Sequence, residues 1–198
     1  MSTVALIVSV ALTQNVVLVH YLGVYPLPAI VHDPRRAGVF SAAVTVALVW
    51  VSLVYWVVFR FVLVPLDVTI LGTVVAAGIV AGSTVLGVRL GSQLFPFHRR
   101  RIRQGTPAAL VNVTVLVVSM ALVEQVPTLW QALVGALAAG VGLTLALVPL
   151  AAVRRELRNR RIPAALRGDV SVYLAAAMMA LAIQQIDALL QRFLVPLY

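Results

Sequence analysis

The sequence contains no cysteine in its 198 residues. Without a thiol the chain can form no disulfide, supply no thiolate to an iron–sulfur cluster and attach no haem or flavin through sulfur. The same absence removes the usual indication of whether a protein works in an oxidising or a reducing compartment. Redox cofactors held by cysteine are therefore excluded for this chain acting alone.

Charged residues are also scarce, at 11% of the chain, and all fifteen basic residues are arginine. Hydrophobic residues make up 62% of the sequence, and the mean hydropathy is +1.05. Soluble domains are only about half apolar and about a quarter charged, so this composition indicates an integral membrane protein. The net charge of +9 does not indicate nucleic-acid binding, because no binding motif or interleaved aromatic residues accompany the arginines.

Six continuous apolar stretches approach the length of about 20 residues that a helix needs to cross a bilayer. The alternating pattern of β-barrel strands is absent, so the predicted fold is an all-α membrane bundle. The first stretch lacks a basic start and a small-residue cleavage site, which predicts a retained span and not a signal peptide. The six predicted spans are approximately 3–24, 37–59, 68–88, 106–123, 128–151 and 170–191.

The arginines are distributed unevenly between the two sides of these spans. Thirteen of the fifteen follow the first, third and fifth spans, and only Arg60 and Arg192 lie on the other side. The bias predicts that the arginine-rich side is cytoplasmic and that both termini are periplasmic, across a bacterial inner membrane. The alternative interpretation of the densest runs, 95–103 and 154–161, is a docking surface for an acidic partner or anionic membrane lipid.

A shift of 98 residues brings the two halves of the chain into register. The segment "LTQNVVLV" (12–19) then lies over "LVNVTVLV" (110–117), with an amide, Gln14 or Asn112, at the same place. Each half has three spans, so the second half enters the membrane in the opposite sense. The sequence therefore predicts one membrane domain built from two inverted three-helix repeats, about 1–97 and 98–198.

Polar side chains interrupt the first and fourth spans at corresponding positions. Gln14 and Asn15 lie in the first, and Asn112 and Thr114 lie in the fourth. Glycine and proline flank both spans, with Gly23 closing the first, which favours helices that break in the bilayer. We expect the amides to bond to one another, or to backbone groups that the break leaves open. The alternative is that they only join neighbouring helices, at roughly 0.6 kcal/mol per bond.

Three motifs resemble those of one family: "QNVVLVHYLGVYP" (14–26), "LVNVTVLV" (110–117) and "AAVRRELRNRRIPAALRG" (151–168). In the third motif Glu156, Pro163, Arg167 and Gly168 match the family pattern at a cytoplasmic turn. On these motifs the chain resembles the RnfA/RsxA–NqrE family over nearly its whole length. The members of that family are six-span membrane subunits of the Rnf and Na⁺-pumping NADH:quinone oxidoreductase complexes.

The resemblance implies a subunit of a redox-driven Na⁺ or H⁺ translocase, which is not a catalyst alone. In that family a homologous subunit of opposite topology (RnfE- or NqrD-like) pairs with this one, beside further Rnf-type subunits. Each of the pair gives two cysteines to a shared [2Fe–2S] cluster near the middle of the membrane. The cluster passes electrons between flavin- and iron–sulfur-bearing partners.

Here the two family cysteine positions hold Tyr25 and Val113. Valine has no lone pair, and a neutral phenol is a poor ligand beside a thiolate. His20 is the only histidine in a predicted span, whereas a Rieske-type centre needs two. We therefore expect no cluster ligand from this chain, no cofactor bound by it alone and no metal site. What remains is a predicted intramembrane polar site of Gln14, Asn15, His20, Gly23, Asn112 and Thr114.

No acidic residue lies near the centre of a predicted span, and Asp67 and Glu124 are predicted to lie in the non-cytoplasmic loops. A carboxylate of the kind that usually marks an ion path is therefore missing. The leading hypothesis is an RnfA-like subunit that forms a scaffold and half-shell of the electron and ion path. Two alternatives stay open: a small inverted-repeat transporter or channel-like protein, and a paralogue that helps to assemble a cysteine-bearing complex.

Overall fold

The computed structural model describes residues 34–94, 109–126, 128–158, 170, 173–182 and 185. Most of these residues are helical, the others lie in turns, bends or single extended positions, and none of them is in a β-strand. The helices are α1 (Pro34–Val58), α2 (Gly72–Leu94), α3 (Val113–Gln125), α4 (Leu129–Arg158) and α5 (Tyr173–Ala182). The prediction of an all-α protein is confirmed for this part of the chain.

Three helical segments of the described chain are long and apolar enough to cross a membrane: Pro34–Leu63, Thr69–Gln93 and Leu129–Glu156. They coincide with the second, third and fifth predicted spans. The α3 and α5 helices are apolar but shorter, and they lie within or across the ends of the fourth and sixth predicted spans. The first predicted span lies outside the described residues. That the chain crosses the bilayer six times, as two inverted repeats, stays a prediction.

The α1 helix ends in a π-helical turn, Phe59–Leu63, which carries it beyond the predicted end of its span. The backbone N–H of Val64 donates to the carbonyl of Phe59 at 3.0 Å. Pro65 then offers no N–H, so the helix cannot continue regularly. Asp67 adopts a positive φ of 55°, which an aspartate tolerates better than most residues. The chain reverses here, and a short 3₁₀ turn, Thr69–Leu71, leads into α2.

The described residues fall into two compact units. The first unit contains residues up to Ser41 together with those from Val141 onward. In it Thr144 Oγ1 donates to Ser41 Oγ at 3.1 Å, and Ser41 Oγ donates to the carbonyl of Gly38 at 3.0 Å. Hydroxyl bonds of this kind join helices where no water is present to compete.

The second unit runs from Ala42 to Gly140. A stripe of α1 forms its centre, because Val44, Leu48, Val51 and Tyr55 recur at helical spacing and are fully buried. Small residues let the helices approach closely: Gly135 of α4 faces Leu122 of α3, and Gly140 faces Thr45 of α1. Such contacts are typical of membrane helices, which associate through close packing and not through exclusion of water.

Candidate intramembrane polar site

A break in the helical backbone lies at Val111 and Asn112. Ala109 and Leu110 are helical, Val111 is in a bend, and Asn112 is extended, with φ −94° and ψ 131°. The α3 helix begins at the next residue, Val113. Asparagine is among the residues that most favour this position before a helix, because its short side chain reaches the open backbone donors. The predicted fourth span of 106–123 therefore has an interruption inside it.

Asn112 satisfies the backbone that this break leaves open. Its Oδ1 accepts the backbone N–H of Thr114 at 2.9 Å, and its carbonyl accepts the N–H of Val115, also at 2.9 Å. The side chain is only 6% exposed, so water contributes little to these groups. For Asn112 the structure therefore shows the second of the two expected arrangements, in which an amide bonds to freed backbone groups.

The two residues after Asn112 differ in their surroundings. Val113 is 52% exposed at the first position of α3, so its side chain points away from the packed interior of its unit. Thr114 is buried, and its Oγ1 has no hydrogen-bond partner among the described residues. A buried hydroxyl without a partner is uncommon in native structures and costs about 1–3 kcal/mol. The N-terminus of α3 therefore combines an accessible apolar residue with an unsatisfied polar one.

Several residues of the predicted site lie outside the described part of the chain. They are Gln14, Asn15, His20, Gly23 and Tyr25, together with Pro163, Arg167 and Gly168 of the cytoplasmic turn. Glu156 is described and lies exposed near the end of α4, beside Arg155. The proximity of Asn15 to Asn112 thus stays a prediction.

The donor set does not fit the family's [2Fe–2S] cluster. Such clusters take thiolates, or histidine pairs in Rieske centres, and Val113 offers neither a charge nor a lone pair at the position where the resemblance places a cysteine. In the described ranges no group of three or more histidine, aspartate or glutamate side chains is arranged to hold a metal ion.

The sequence analysis missed a second set of polar groups in the second unit, formed by Tyr55 of α1 and Glu124 of α3. Tyr55 is fully buried in α1, and its hydroxyl has no hydrogen-bond partner among the described residues. Glu124 lies in the last turn of α3 and not in the predicted loop, because that helix continues to Gln125. The sequence pattern that could have indicated buried polar groups is the recurrence of Ser41, Ser52 and Tyr55 on the same stripe of α1 as its buried valines and leucine.

Replacing Asn112 with alanine should destabilise the chain by about 1 kcal/mol, because the Thr114 N–H loses its side-chain acceptor. Asn112→Ser should retain most of the stability, since a serine hydroxyl can accept the same bond. Thermal unfolding in detergent would measure both variants. Equal losses for serine and alanine would show that the cap contributes nothing.

The helices and this site together define a class of protein. Apolar helices long enough to cross a bilayer, with a break capped by a buried amide, are features of a polytopic membrane protein whose polar groups are enclosed by helices. A family model described as "Rnf-Nqr subunit, membrane protein" matches residues 3–190. The chain therefore belongs to the Rnf-Nqr family of membrane subunits, and the resemblance drawn from its three motifs is confirmed.

Curated relatives agree with this family. The chain is similar to the A subunit of the ion-translocating oxidoreductase complex of Edwardsiella ictaluri, with 31% identity over 189 residues, 94% of this chain and 96% of that protein. The protein of the same name from Proteus mirabilis is 30% identical over 189 residues, with the same coverage. That from Pseudoalteromonas translucida is 29% identical over 182 residues, 90% of this chain and 93% of that protein.

Proposed function

We propose that this chain is the RnfA-like component of an ion-translocating electron-transport complex and works only in assembly with other subunits. The observation that carries the proposal is the match to the membrane-subunit family over residues 3–190. It is supported by curated relatives that are themselves named as the A subunit of such a complex and are matched over nearly their whole length. The chain supplies part of the membrane scaffold along which ions move.

In this assembly the chain forms one side of the electron and ion path and supplies no iron ligand of its own. The support is chemical: the sequence has no cysteine, and Val113 stands at the start of α3 where the resemblance places a ligand. Val113 is accessible, so a side chain at this position can meet a neighbouring subunit. A partner that brings two cysteines would still leave two of the four cluster positions empty. We propose that electrons pass through other subunits.

The proposed architecture has six membrane helices in two inverted repeats, with both termini periplasmic in a bacterial inner membrane. The interruption at Asn112 supports this architecture, since inverted-repeat membrane proteins often have broken helices at the repeat interface. The proposed partner is an RnfE- or NqrD-like subunit of opposite topology. The α2 helix is the most exposed of the three long helices, so it has apolar surface available for lipid or for that subunit.

Affinity purification of the tagged chain from its native membrane tests the proposal. We expect other Rnf-type subunits to co-purify in fixed stoichiometry. Deletion of the gene should abolish redox-driven ion uptake into inverted membrane vesicles, with NADH and reduced ferredoxin tried as donors in parallel. Undiminished uptake after deletion, or isolation of the chain without any such subunit, would contradict the proposed function.

A further inference from the structure

The start of α1 and the end of α4 lie at the same end of this helix pair. Thr144 Oγ1 of α4 donates to Ser41 Oγ of α1 at 3.1 Å. One turn away along each helix, Gly140 of α4 faces Thr45 of α1. Residue numbers rise along α1 as they fall along α4, so the two helices are antiparallel. The first turn of α1 and the last turns of α4 therefore meet the same membrane surface, which the arginine bias predicts to be the cytoplasmic one.

Arginines occupy both of these helix ends. The first turn of α1 contains no acidic residue, and α4 contains one, Glu156. The N-terminus of a helix carries a partial positive charge, so arginines at the start of α1 add to a potential that favours an anion. Asp33 directly precedes α1 in the sequence, and the arginines outnumber these two acids. The four arginines are Arg35, Arg36, Arg154 and Arg155.

These arginines lie at the depth of the lipid headgroups. The helical segments Pro34–Leu63 and Leu129–Glu156, which contain them, have 30 and 28 residues. At a rise of about 1.5 Å per residue the segments measure about 45 and 42 Å. A bilayer is about 40–45 Å thick with its headgroups, of which about 30 Å is hydrocarbon, so the ends of both segments reach the phosphates. A soluble acidic partner would meet residues beyond these ends, whereas the arginines lie within them.

Arg36 and Arg155 are close enough in depth to act on the same layer of headgroups. Arg36 lies five residues before Ser41, and Arg155 lies eleven residues after Thr144. These positions are roughly 7.5 and 16.5 Å from the level of the Ser41–Thr144 bond. The difference of roughly 9 Å can be bridged by two arginine stems, which extend along a helix toward the headgroups. The planar guanidinium groups then match the geometry of phosphate, to which arginine binds through two parallel hydrogen bonds.

We propose that the paired ends of α1 and α4 bind an anionic phospholipid of the cytoplasmic leaflet through Arg36 and Arg155. Arg35 and Arg154 also interact with other groups of the chain, so their part is to add positive potential. Basic groups at the cytoplasmic ends of membrane helices attract anionic headgroups, and those between helices bind lipids such as cardiolipin. The inference does not depend on the proposed function, because both helices belong to this chain.

Equilibrium binding of fluorescent cardiolipin to the purified full chain in a neutral detergent tests this surface. Arg36→Gln and Arg155→Gln should each weaken binding by about fivefold, and the double variant by about thirtyfold, because each substitution removes one positive charge near the headgroups. Unlabelled cardiolipin should displace the label, whereas phosphatidylcholine, which has a phosphate but no net charge, should not. Melting temperatures without lipid should be equal, since both side chains are exposed.

Arg60→Gln is the matched control, since it removes an arginine from the last turn of the same helical segment, at the opposite membrane surface. It should leave cardiolipin binding unchanged. Undiminished binding in the double variant, or an equal loss in Arg60→Gln, would overturn the inference. Displacement by inorganic phosphate at the same concentration as cardiolipin would show a site for the free anion and not for lipid. A double variant that binds cardiolipin normally but loses a co-purifying subunit would assign the arginines to an acidic protein partner instead.

Discussion

A complex that carries both Tyr25→Cys and Val113→Cys should gain a [2Fe–2S] cluster that the unaltered complex lacks at this place, provided its partner subunit brings two cysteines. The double substitution completes the four thiolates that such a cluster requires. Val113 is accessible at the first position of α3, so a thiolate there can reach a group shared with a neighbour. Iron analysis and low-temperature EPR of the purified complex measure the change, from no cluster at this place to one per complex.

Two controls separate ligation from the mere presence of thiols. Either single substitution leaves one position empty and should give no stable cluster. Tyr25→Cys combined with Val117→Cys moves the second thiol one helical turn along the accessible face of α3 and should also fail. The interpretation of Tyr25 and Val113 as vacated ligand positions is wrong if the double variant stays free of additional iron. It is equally wrong if the unaltered complex shows a stoichiometric cluster that depends on this chain.

Replacing Gly140 with alanine should destabilise the folded chain by about 1–3 kcal/mol. A methyl at this position would overlap Cγ2, Oγ1 and Cβ of Thr45, so α1 and α4 would have to move apart. Thr45 is β-branched and stiff at χ1, so it cannot turn aside cheaply. Thermal unfolding of the purified chain in detergent should show the loss as a lower melting temperature.

Alanine substitutions at two other glycines serve as comparisons for Gly140→Ala. Gly78→Ala adds a methyl with nothing within 4 Å and should be neutral or stabilising by up to about 1 kcal/mol, because alanine favours the helix. Gly135→Ala meets the end of the flexible Leu122 side chain at 2.6 Å and should fall between the two. Adding Thr45→Ala to Gly140→Ala should recover part of the loss, non-additively. Equal melting temperatures for Gly78→Ala and Gly140→Ala would refute the close helix crossing.

The sequence alone was enough to place the long helices and the family. Bilayer thickness demands runs of about 20 apolar residues, so composition along the chain located α1, α2 and α4 without any knowledge of contacts. An amide inside such a run is costly unless it is bonded, and that cost marked Asn112 as part of a polar site. The flanking glycines and prolines predicted a break, but only the structure placed it at Val111 and Asn112. The missing thiol at Val113 was equally readable, because ligand chemistry depends on residue type.

The tertiary structure alone decided which distant residues meet. Thr45 and Gly140 are far apart in the chain, as are Tyr55, Gly72 and Glu124, and each is unremarkable in its own apolar helix. Their juxtaposition depends on where and at what angle helices cross, and that is set by the packing of whole side-chain surfaces and not by a local pattern. The physical reason is the range of the interactions. Hydropathy and helix capping act within a few residues, whereas a close approach between side chains of different helices exists only after the helices have packed.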